Sequence, residues 1–250
     1  MASSEVIVVT GGSRGIGAAT ALLAGARGYA VAVNYRENRE AADAVVAGIT
    51  ASGGRAIAVA ADVSAESDVV RLFDTVDREL GRVTALVNNA GIIGRQTTVE
   101  QIDAERLRAI FATNVIGAFL CAREAVKRMS TRRGGSGGAI VNVSSAAARL
   151  GSPREYVDYA ASKGAIDTMT IGLSKEVAAE GIRVNAVRPG LIYTEIHASG
   201  GEPARVDRLK TAMPMQRGGD PVEVARAIVW LLSDQASYST GTFIDVAGGW

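Results

Sequence analysis

Short apolar segments alternate with longer amphipathic segments along almost the whole chain. The apolar segments are rich in Val, Ile and Ala, which is typical of parallel strands buried on both faces of a sheet. Strands are predicted at residues 5–10, 30–35, 55–61, 84–89, 139–144, 182–187 and 242–246. Helices are predicted at about 15–28, 38–52, 66–80, 100–130 and 221–233, with another that carries Tyr159 and Lys163.

This regular alternation of strand and helix predicts the fold class. Right-handed crossovers between parallel strands place helices on both faces of one sheet, so we expect an α/β, doubly wound parallel sheet. No stretch of linker composition and no internal repeat divides the chain, which predicts a single domain over residues 1–250. The alternation is interrupted at 190–215, where Gly200, Gly201 and Pro203 occur, and we expect this segment to cover a bound substrate.

A glycine-rich segment follows the first predicted strand and leads into the first helix. It is Thr10-Gly-Gly-Ser-Arg-Gly-Ile-Gly17, and its Gly11, Gly15 and Gly17 have the spacing G-x-x-x-G-x-G. Glycine permits a tight turn and lets backbone N–H groups approach a pyrophosphate at a helix N-terminus. A plain glycine turn can have the same spacing, but the position after the first strand favours dinucleotide binding and a Rossmann fold.

The end of the second predicted strand bears on the choice between NAD and NADP. Many NAD-binding folds have an acidic residue there, about 20 positions after the glycines, for the ribose 2′-hydroxyl. The stretch here is Val33-Asn-Tyr-Arg36, and Arg36 together with Arg14 would suit a 2′-phosphate. Glu37 is the nearby acid that argues for NAD. We therefore predict a preference for NADP(H), and use of NAD stays open.

A tyrosine and a lysine four positions apart form a second chemical motif, Tyr159-Ala-Ala-Ser-Lys163. On a helix the two side chains share a face. The ammonium would then lower the pKa of the phenol from about 10 towards the working pH. Such a phenol is a general acid/base for carbonyl and alcohol chemistry. Either residue alone has a structural explanation, and their occurrence after the glycine turn is what indicates hydride transfer.

With these motifs the chain resembles the short-chain dehydrogenase/reductase family over nearly its whole length. The matching segments are Thr10–Gly17, Asp62-Val63, Asn88-Asn89-Ala90-Gly91, Asn114, Ser144-Ser145, Tyr159–Lys163 and Pro189-Gly190. The resemblance and the strand-end residues imply a cofactor site of Gly11, Ser13, Arg14, Gly15, Ile16, Gly17, Asn34, Arg36, Asp62, Val63, Asn89, Ala90, Gly91, Tyr159, Lys163, Pro189, Gly190, Ile192 and Thr194.

The resemblance also implies a catalytic set, which consists of Asn114, Ser145, Tyr159 and Lys163. Tyr159 would exchange a proton with the substrate oxygen, and Ser145 would hydrogen-bond that oxygen. Lys163 would lower the pKa of Tyr159 and hold the nicotinamide ribose. Asn114 would position a water that passes protons from Lys163 to solvent. Charge develops on one oxygen, so no metal is expected.

Three assignments stay open at this point. Either Ser144 or Ser145 could donate to the substrate oxygen, because Ser145 lies one residue further from Tyr159 than the family spacing. Side chains alternate across a strand, so only one of the two serines can face the site, and the family pattern favours Ser145. Tyr156 belongs either to the substrate wall or to ordinary surface packing. His197 is either a substrate contact or an ordinary loop residue.

Composition and charge exclude several other functions. The net charge is +1, from 27 basic and 26 acidic residues, so no field over the whole molecule attracts nucleic acid. The basic residues Lys127, Arg128, Arg132 and Arg133 are expected to be a solvated helix end. One cysteine excludes an internal disulfide, and one histidine excludes a histidine-based metal cluster. We expect no signal stretch, no apolar run of membrane length and a cytoplasmic protein.

The function predicted from these observations is an NADP(H)-dependent oxidoreductase that interconverts a carbonyl and an alcohol. Among family members the chain resembles both 3-oxoacyl-thioester reductases and glucose-type sugar dehydrogenases, and a sugar dehydrogenase using NAD or NADP is the alternative. We expect residues 146–156 and 193–215 to shape the substrate pocket. Tyr193, Glu195, His197 and Arg205 would make its wall polar, which favours hydroxylated substrates. A non-catalytic dinucleotide sensor is a remote alternative, because such a protein is expected to lose Tyr159 or Lys163. The resemblance implies a homo-oligomer, a tetramer or a dimer, paired through the two long helices and the last strand.

Overall fold

The computed structural model describes residues 5–250, which are built around one seven-stranded parallel sheet. The strands are β1 (Val6–Val9), β2 (Ala30–Tyr35), β3 (Ala56–Ala60), β4 (Ala85–Asn88), β5 (Gly138–Val143), β6 (Ile182–Pro189) and β7 (Phe243–Val246). Their order in the sheet is β3-β2-β1-β4-β5-β6-β7. The order reverses between β1 and β4, which is where open α/β sheets bind ligands.

Ten α-helices connect these strands in the described chain. The longer ones are α1 (Gly15–Ala26), α2 (Arg39–Ala51), α3 (Glu66–Glu79), α4 (Ala104–Phe111), α5 (Gly117–Met129), α7 (Val157–Val177) and α10 (Pro221–Leu232). The short ones are α6 (Ala147–Leu150), α8 (Ile196–Ser199) and α9 (Arg205–Leu209). Two of these short helices, α8 and α9, occupy the segment 190–215, where the sequence predicted an interruption.

The core has two layers, one on each face of the sheet. Along β1, Val6 and Val8 pack on one face with Phe73 of α3. Ile7 and Val9 pack on the other face, with residues of α1, α2 and α10. Successive side chains of a strand point to opposite faces, and apolar residues at every position of β1 therefore require helices on both sides. The predicted doubly wound α/β fold is confirmed.

The helix predicted over 100–130 is interrupted in the structure. A π-helical turn at Ala112–Ile116 separates α4 from α5, and Asn114 lies within it. The Asn114 amide bonds to both backbone polar groups of Ile92 and to the Ser162 hydroxyl. Hydrophobic periodicity does not detect such a turn, because the apolar positions continue through it.

By length and composition, the run Ala104–Met129 is apolar enough to cross a membrane, with a mean hydropathy of 1.4 over an 18-residue window. The expectation that no such run exists was therefore wrong. In the fold, 44% of that window is buried, and Cys121, Ala122 and Ala125 of α5 belong to the core. A core helix passes the same test as a membrane span, so the run by itself is weak evidence for a membrane.

The turn after β1 depends on a close approach between glycines. Gly11 and Gly15 have φ angles of +59° and +53°, a region that favours glycine. A Cβ atom on Gly17 would lie 2.3 Å from the carbonyl oxygen of Gly11 and 2.5 Å from Nδ2 of Asn89. That Nδ2 donates to the carbonyls of Thr10 and Gly11, at 2.9 and 3.0 Å. Gly17 therefore allows the first helix to pack against the turn.

We predict that Gly17→Ala lowers the free energy of unfolding by about 1–3 kcal/mol, because the added methyl group has to displace backbone. The control is Gly164→Ala, another helical glycine, around which a Cβ atom meets nothing within 4 Å. There alanine should stabilise by up to about 1 kcal/mol. Urea unfolding followed by circular dichroism measures both. Equal stability of Gly17→Ala and the unmodified protein would contradict the close packing.

Candidate active site

A cleft of about 350 Å³ opens at the carboxyl ends of the central strands. Its wall includes the glycine turn after β1, the ends of β2 and β4, the β5 end with Ser145, the first turns of α7, and the segment that follows β6. All the predicted cofactor and catalytic residues line this cleft except two, Gly17 and Asn114. Both of these lie behind the wall and contact residues that form it.

The half of the cleft around the glycine turn, called the nucleotide half below, has closely packed glycines in its wall. A Cβ atom on Gly11 would lie 3.0 Å from Cα of Ala90, and one on Gly15 would lie 3.2 Å from the Thr194 methyl group. Within α1, residues 15–26 of the described chain, the first turn has no acidic residue. Exposed backbone N–H groups at such a helix start attract a phosphate. These residues therefore fit the pyrophosphate of a dinucleotide.

Asn34 lines the cleft but uses its side-chain amide on the backbone. Its Oδ1 accepts from the N–H of Gly11 at 3.2 Å. Its Nδ2 donates to the carbonyls of Val59 and Ala61, at 3.3 and 3.0 Å. Asn34 thereby joins β2 and β3 to the glycine turn, and its amide has little capacity left for a ligand.

Helix α7 brings Tyr159 and Lys163 to the same wall, one turn apart. The Nζ atom of Lys163 lies 5.6 Å from the centroid of the Tyr159 ring. It donates a hydrogen bond to the carbonyl of Val143, at the end of β5, at 2.8 Å. Lys163 is only 4% exposed, so this carbonyl compensates part of the cost of burying the ammonium.

The pKa values of these two groups are governed by burial. Burial raises the pKa of Tyr159 to about 12, with the hydroxyl of Ser145 acting against that rise. Burial lowers the pKa of Lys163 to about 8, with Asp167 acting against that fall. The expected lowering of the Tyr159 pKa is not found in this structure, because the effect of burial outweighs the groups that act against it. In this arrangement Tyr159 keeps its proton and can donate it.

The two adjacent serines have different partners. The Ser144 hydroxyl donates to Oδ1 of Asp167 at 2.6 Å and is committed to that carboxylate. The Oγ atom of Ser145 accepts from the N–H of Ala147 at 3.1 Å and lies beside the hydroxyl of Tyr159. The geometry therefore favours Ser145 over Ser144 as the donor to a substrate oxygen.

Asn114 lies in the π-helical turn behind the cleft and is 1% exposed. Its Oδ1 accepts from the N–H of Ile92 at 2.8 Å, and its Nδ2 donates to the Ile92 carbonyl and to Ser162 Oγ, both at 3.0 Å. A Cβ atom on Gly91 would lie 3.5 Å from Asn114 Oδ1 and 3.6 Å from Lys163 Nζ. Asn114 is thus near Lys163, and its role in a water relay stays a prediction.

The other half of the cleft contains larger side chains. Tyr156 is buried and lines it, so the choice between wall and surface packing is settled for the wall. The guanidinium of Arg205 lies 5.0 Å from the centroid of the Tyr156 ring. Arg205 also pairs with Glu155 at 2.5 Å and with Glu202 at 3.2 Å. Its charge is therefore compensated by protein carboxylates.

His197 and Tyr193 differ in position. His197 lines the cleft, with Nε2 at 3.0 Å from the carbonyl of Ile192. A carbonyl only accepts hydrogen bonds, so Nε2 carries the proton, and burial keeps the pKa of this imidazole low. Tyr193 is half-exposed and donates to Asp207, and it does not line the cleft. The expectation that Tyr193 contributes to a polar pocket wall was wrong.

Sequence reasoning missed two apolar residues of this half, Ile92 and Trp250, whereas Leu150 and Ile196 lie within the two segments expected to shape the pocket. Ile92 and Trp250 lie outside helices and strands, where no periodicity indicates which way a side chain points. Trp250 is the last residue that the structure describes, far along the chain from the motifs. Only the folded arrangement identifies these two.

The two basic residues in the last turn of α5 are paired with carboxylates. Arg128 pairs with Asp74, Asp77 and Glu124, and Lys127 also pairs with Glu124. Among the described residues, no group of three or more His, Cys, Asp or Glu side chains could hold a metal ion.

Comparisons with known proteins agree with this geometry. A family model described as enoyl-(acyl carrier protein) reductase matches residues 11–250. A solved structure of a short-chain type dehydrogenase/reductase from Mycobacterium marinum superposes with a TM-score of 0.92 at 33% sequence identity. The superposition covers 99% of this chain and 95% of that one.

Three relatives span the chain almost completely. The uncharacterized oxidoreductase YgfF of Escherichia coli is 66% identical, over 98% of this chain and 99% of the relative. A 3-oxoacyl-[acyl-carrier-protein] reductase of Synechocystis is 40% identical, over 99% and 97%. Glucose 1-dehydrogenase 2 of Bacillus subtilis is 38% identical, over 99% and 95%.

The glycine turn, the Tyr159 and Lys163 pair, the doubly wound sheet and these relatives agree on one assignment. The chain belongs to the short-chain dehydrogenase/reductase family of NAD(P)-dependent oxidoreductases.

Proposed function

We propose that the protein interconverts a carbonyl and an alcohol, with Tyr159 as the general acid/base and NADP(H) as the preferred cofactor. The observation that supports this most is the grouping of Ser145, Tyr159 and Lys163 in the same cleft as the glycine turn. A protonated phenol beside a serine hydroxyl matches what a carbonyl oxygen needs as it gains charge.

The side chains divide the work of carbonyl reduction. A bound nicotinamide would supply the hydride. Tyr159 holds its proton at neutral pH and donates it to the carbonyl oxygen, while Ser145 donates a hydrogen bond to the same oxygen. The buried ammonium of Lys163 stabilises the phenolate that remains and holds the ribose hydroxyls. Asn114 positions a water through which that phenolate regains its proton. In alcohol oxidation the same groups act in reverse order.

Tyr159→Phe is expected to reduce kcat by about 10²–10⁴-fold while cofactor binding persists, because only the transferable proton is lost. The assay follows NADPH consumption with ketones, 3-oxoacyl thioesters, quinones and aldose sugars, and NADP⁺ reduction with the corresponding alcohols. NADPH fluorescence titration measures binding.

Two tyrosines serve as controls for this variant. Tyr193 does not line the cleft, so Tyr193→Phe should leave turnover unchanged. Tyr156→Phe changes the wall, so it should alter KM more than kcat. An active Tyr159→Phe enzyme with an inactive Tyr156→Phe enzyme would show that Tyr156 is the acid.

The preference for NADP rests on the charges around the end of β2. Arg36 and Arg14 both line the cleft. Arg36 pairs with Glu37 at 2.7 Å, and both side chains are exposed. An exposed ion pair is weak, so the Arg36 guanidinium can turn to a 2′-phosphate at little cost.

Arg36→Asp is expected to weaken NADPH binding about 10- to 100-fold, the range for loss of a hydrogen bond to a charged group. NADH binding should change much less. Arg39→Asp is the control, because Arg39 loses the same charge nearby but does not line the cleft. Equal loss for both cofactors would contradict the preference for NADP.

The names of the relatives and the side chains that line the cleft suggest two classes of substrate. The relatives include a 3-oxoacyl-[acyl-carrier-protein] reductase and a glucose dehydrogenase. Leu150 and Trp250 offer apolar surface, whereas His197 and Arg205 offer polar groups. A carbonyl carried by a partly apolar, small or medium-sized molecule is the first candidate, and a sugar is the alternative.

We also propose a cytoplasmic homo-oligomer, a tetramer or a dimer, that binds neither nucleic acid nor a membrane. Ile116 ends the π-helical turn and Phe119 lies three residues later, in the first turn of α5. Each of these two side chains is about half exposed. Ile171 is exposed on the neighbouring helix α7. Exposed apolar side chains on adjacent helices are suited to pairing with a second copy.

Phe119→Glu is expected to lower the oligomeric mass measured by light scattering during gel filtration, because a carboxylate at an apolar interface is left without a partner. Leu22→Glu is the control, with similar exposure on α1, on the opposite face of the sheet. An unchanged mass for Phe119→Glu, or a monomeric unmodified protein, would overturn the proposed interface.

A further inference from the structure

A single carboxylate, that of Asp167, joins three elements whose ends form the active site. Asp167 lies on α7, one turn after Lys163. Its Oδ1 accepts from the hydroxyl of Ser144 at the end of β5, at 2.6 Å. Its Oδ2 accepts from Nε of Arg188 at the end of β6, at 3.0 Å, and a second nitrogen of the same guanidinium lies at 2.9 Å. Both carboxylate oxygens are therefore fixed.

These contacts lie next to residues that the proposed reaction uses. Ser144 directly precedes Ser145. Arg188 directly precedes Pro189, which lines the nucleotide half of the cleft. The side chains of Asp167 and Arg188 are 14% and 17% exposed. The Arg188 guanidinium also lies 3.9 Å from the centroid of the Phe243 ring in β7. A pair this buried holds a defined geometry, unlike an exposed one.

The surroundings of Lys163 contain few charges that could stabilise its ammonium. On its own helix it has Tyr159, which is neutral, and Asp167. From β5 it receives the carbonyl of Val143, and from the π-helical turn it faces the neutral Asn114. Asp167 is the carboxylate that opposes the effect of burial on the pKa of Lys163, and Arg188 reaches this region through Asp167.

We propose that Asp167 is a positioning residue of the active site, which keeps the buried Lys163 ammonium protonated and ties β5 and β6 to α7. Its carboxylate is committed to Ser144 and Arg188, so it acts through Lys163 and touches neither substrate nor cofactor. The inference rests on the proposed function only where it assigns Lys163 a part in catalysis.

The charge on Lys163 can be measured without any turnover. The chain has four lysines, Lys127, Lys163, Lys175 and Lys210, and burial lowers the pKa of Lys163 to about 8. In cofactor-free protein labelled with ¹³C at the lysine side chains, NMR titration should give one resonance that titrates well below the other three. Lys163→Met removes that resonance and thereby assigns it.

Three variants separate charge from structure. Asp167→Asn keeps an acceptor for Ser144 but removes the negative charge, and should lower the pKa of Lys163 by about one pH unit. Arg188→Gln breaks the same ion pair but keeps the carboxylate, so the pKa should be at least as high as in the unmodified protein. The control is Asp245→Asn in β7, because an oxygen of Asp245 lies 3.8 Å from a nitrogen of the Arg188 guanidinium. This variant should leave the pKa of Lys163 unchanged.

The pH dependence of kcat/KM gives an independent readout. Lys163 acts as a cation, so activity falls as pH rises through its pKa, and Asp167→Asn should move that limb to lower pH by the same amount. A folded Asp167→Asn protein with an unmoved Lys163 resonance overturns the proposal. So does a lowered pKa in Arg188→Gln, which tests it even if Asp167→Asn does not fold. Absence of turnover with every substrate, together with the predicted NMR shifts, would overturn the proposed function alone.

Discussion

The arrangement of the active site depends on one buried charge, the ammonium of Lys163 at the end of β5. The ammonium is buried there, the Val143 carbonyl accepts a hydrogen bond from it, and Asp167 lies one turn further along α7 and opposes the effect of burial on its pKa. These contacts fix the rotation of α7 about its axis. That rotation in turn decides that Tyr159, one turn earlier, faces Ser145 and the cleft. The phenol proposed as the proton donor is thus oriented mainly by the contacts of its neighbouring lysine.

The same cleft shows why polar residues near a ligand site are not all ligands. Asn34 and Asn114 both belong to the predicted site set, yet their amides bond to the protein backbone. Asn34 holds the glycine turn, and Asn114 holds the chain after β4 through a π-helical turn. A flexible turn would lose its preorganised N–H groups. These two asparagines therefore fix the backbone that forms or supports the wall of the cleft.

The parts of this structure that could be predicted from sequence are those governed by local physics. Strands such as β1 are apolar at every position because both faces are covered, and Gly17 is glycine because any Cβ would collide with Gly11. The π-helical turn at 112–116 was not predictable, because one extra residue leaves the apolar pattern intact. The raised pKa of Tyr159 was missed for a different reason: spacing shows that a lysine is near, but not how deeply the phenol is buried, and burial raises its pKa. Trp250 reaches the cleft through tertiary packing, which no motif records.

Chemistry and specificity are built on different parts of the chain. Ser145, Tyr159 and the glycine turn are placed by strand ends and long helices, which the sheet holds rigidly. The opposite wall comes from α6, α8 and α9, and its Arg205 is fixed by ion pairs to Glu155 and Glu202. Glu155 belongs to the loop before α7, whereas Glu202 and Arg205 both belong to the segment 190–215. The ion pair between Arg205 and Glu155 therefore joins these two parts of the chain beside the cleft. These loops are separate from the elements that place Tyr159 and Ser145. Such a division agrees with relatives of this chain that are named as a 3-oxoacyl-[acyl-carrier-protein] reductase and as a glucose 1-dehydrogenase.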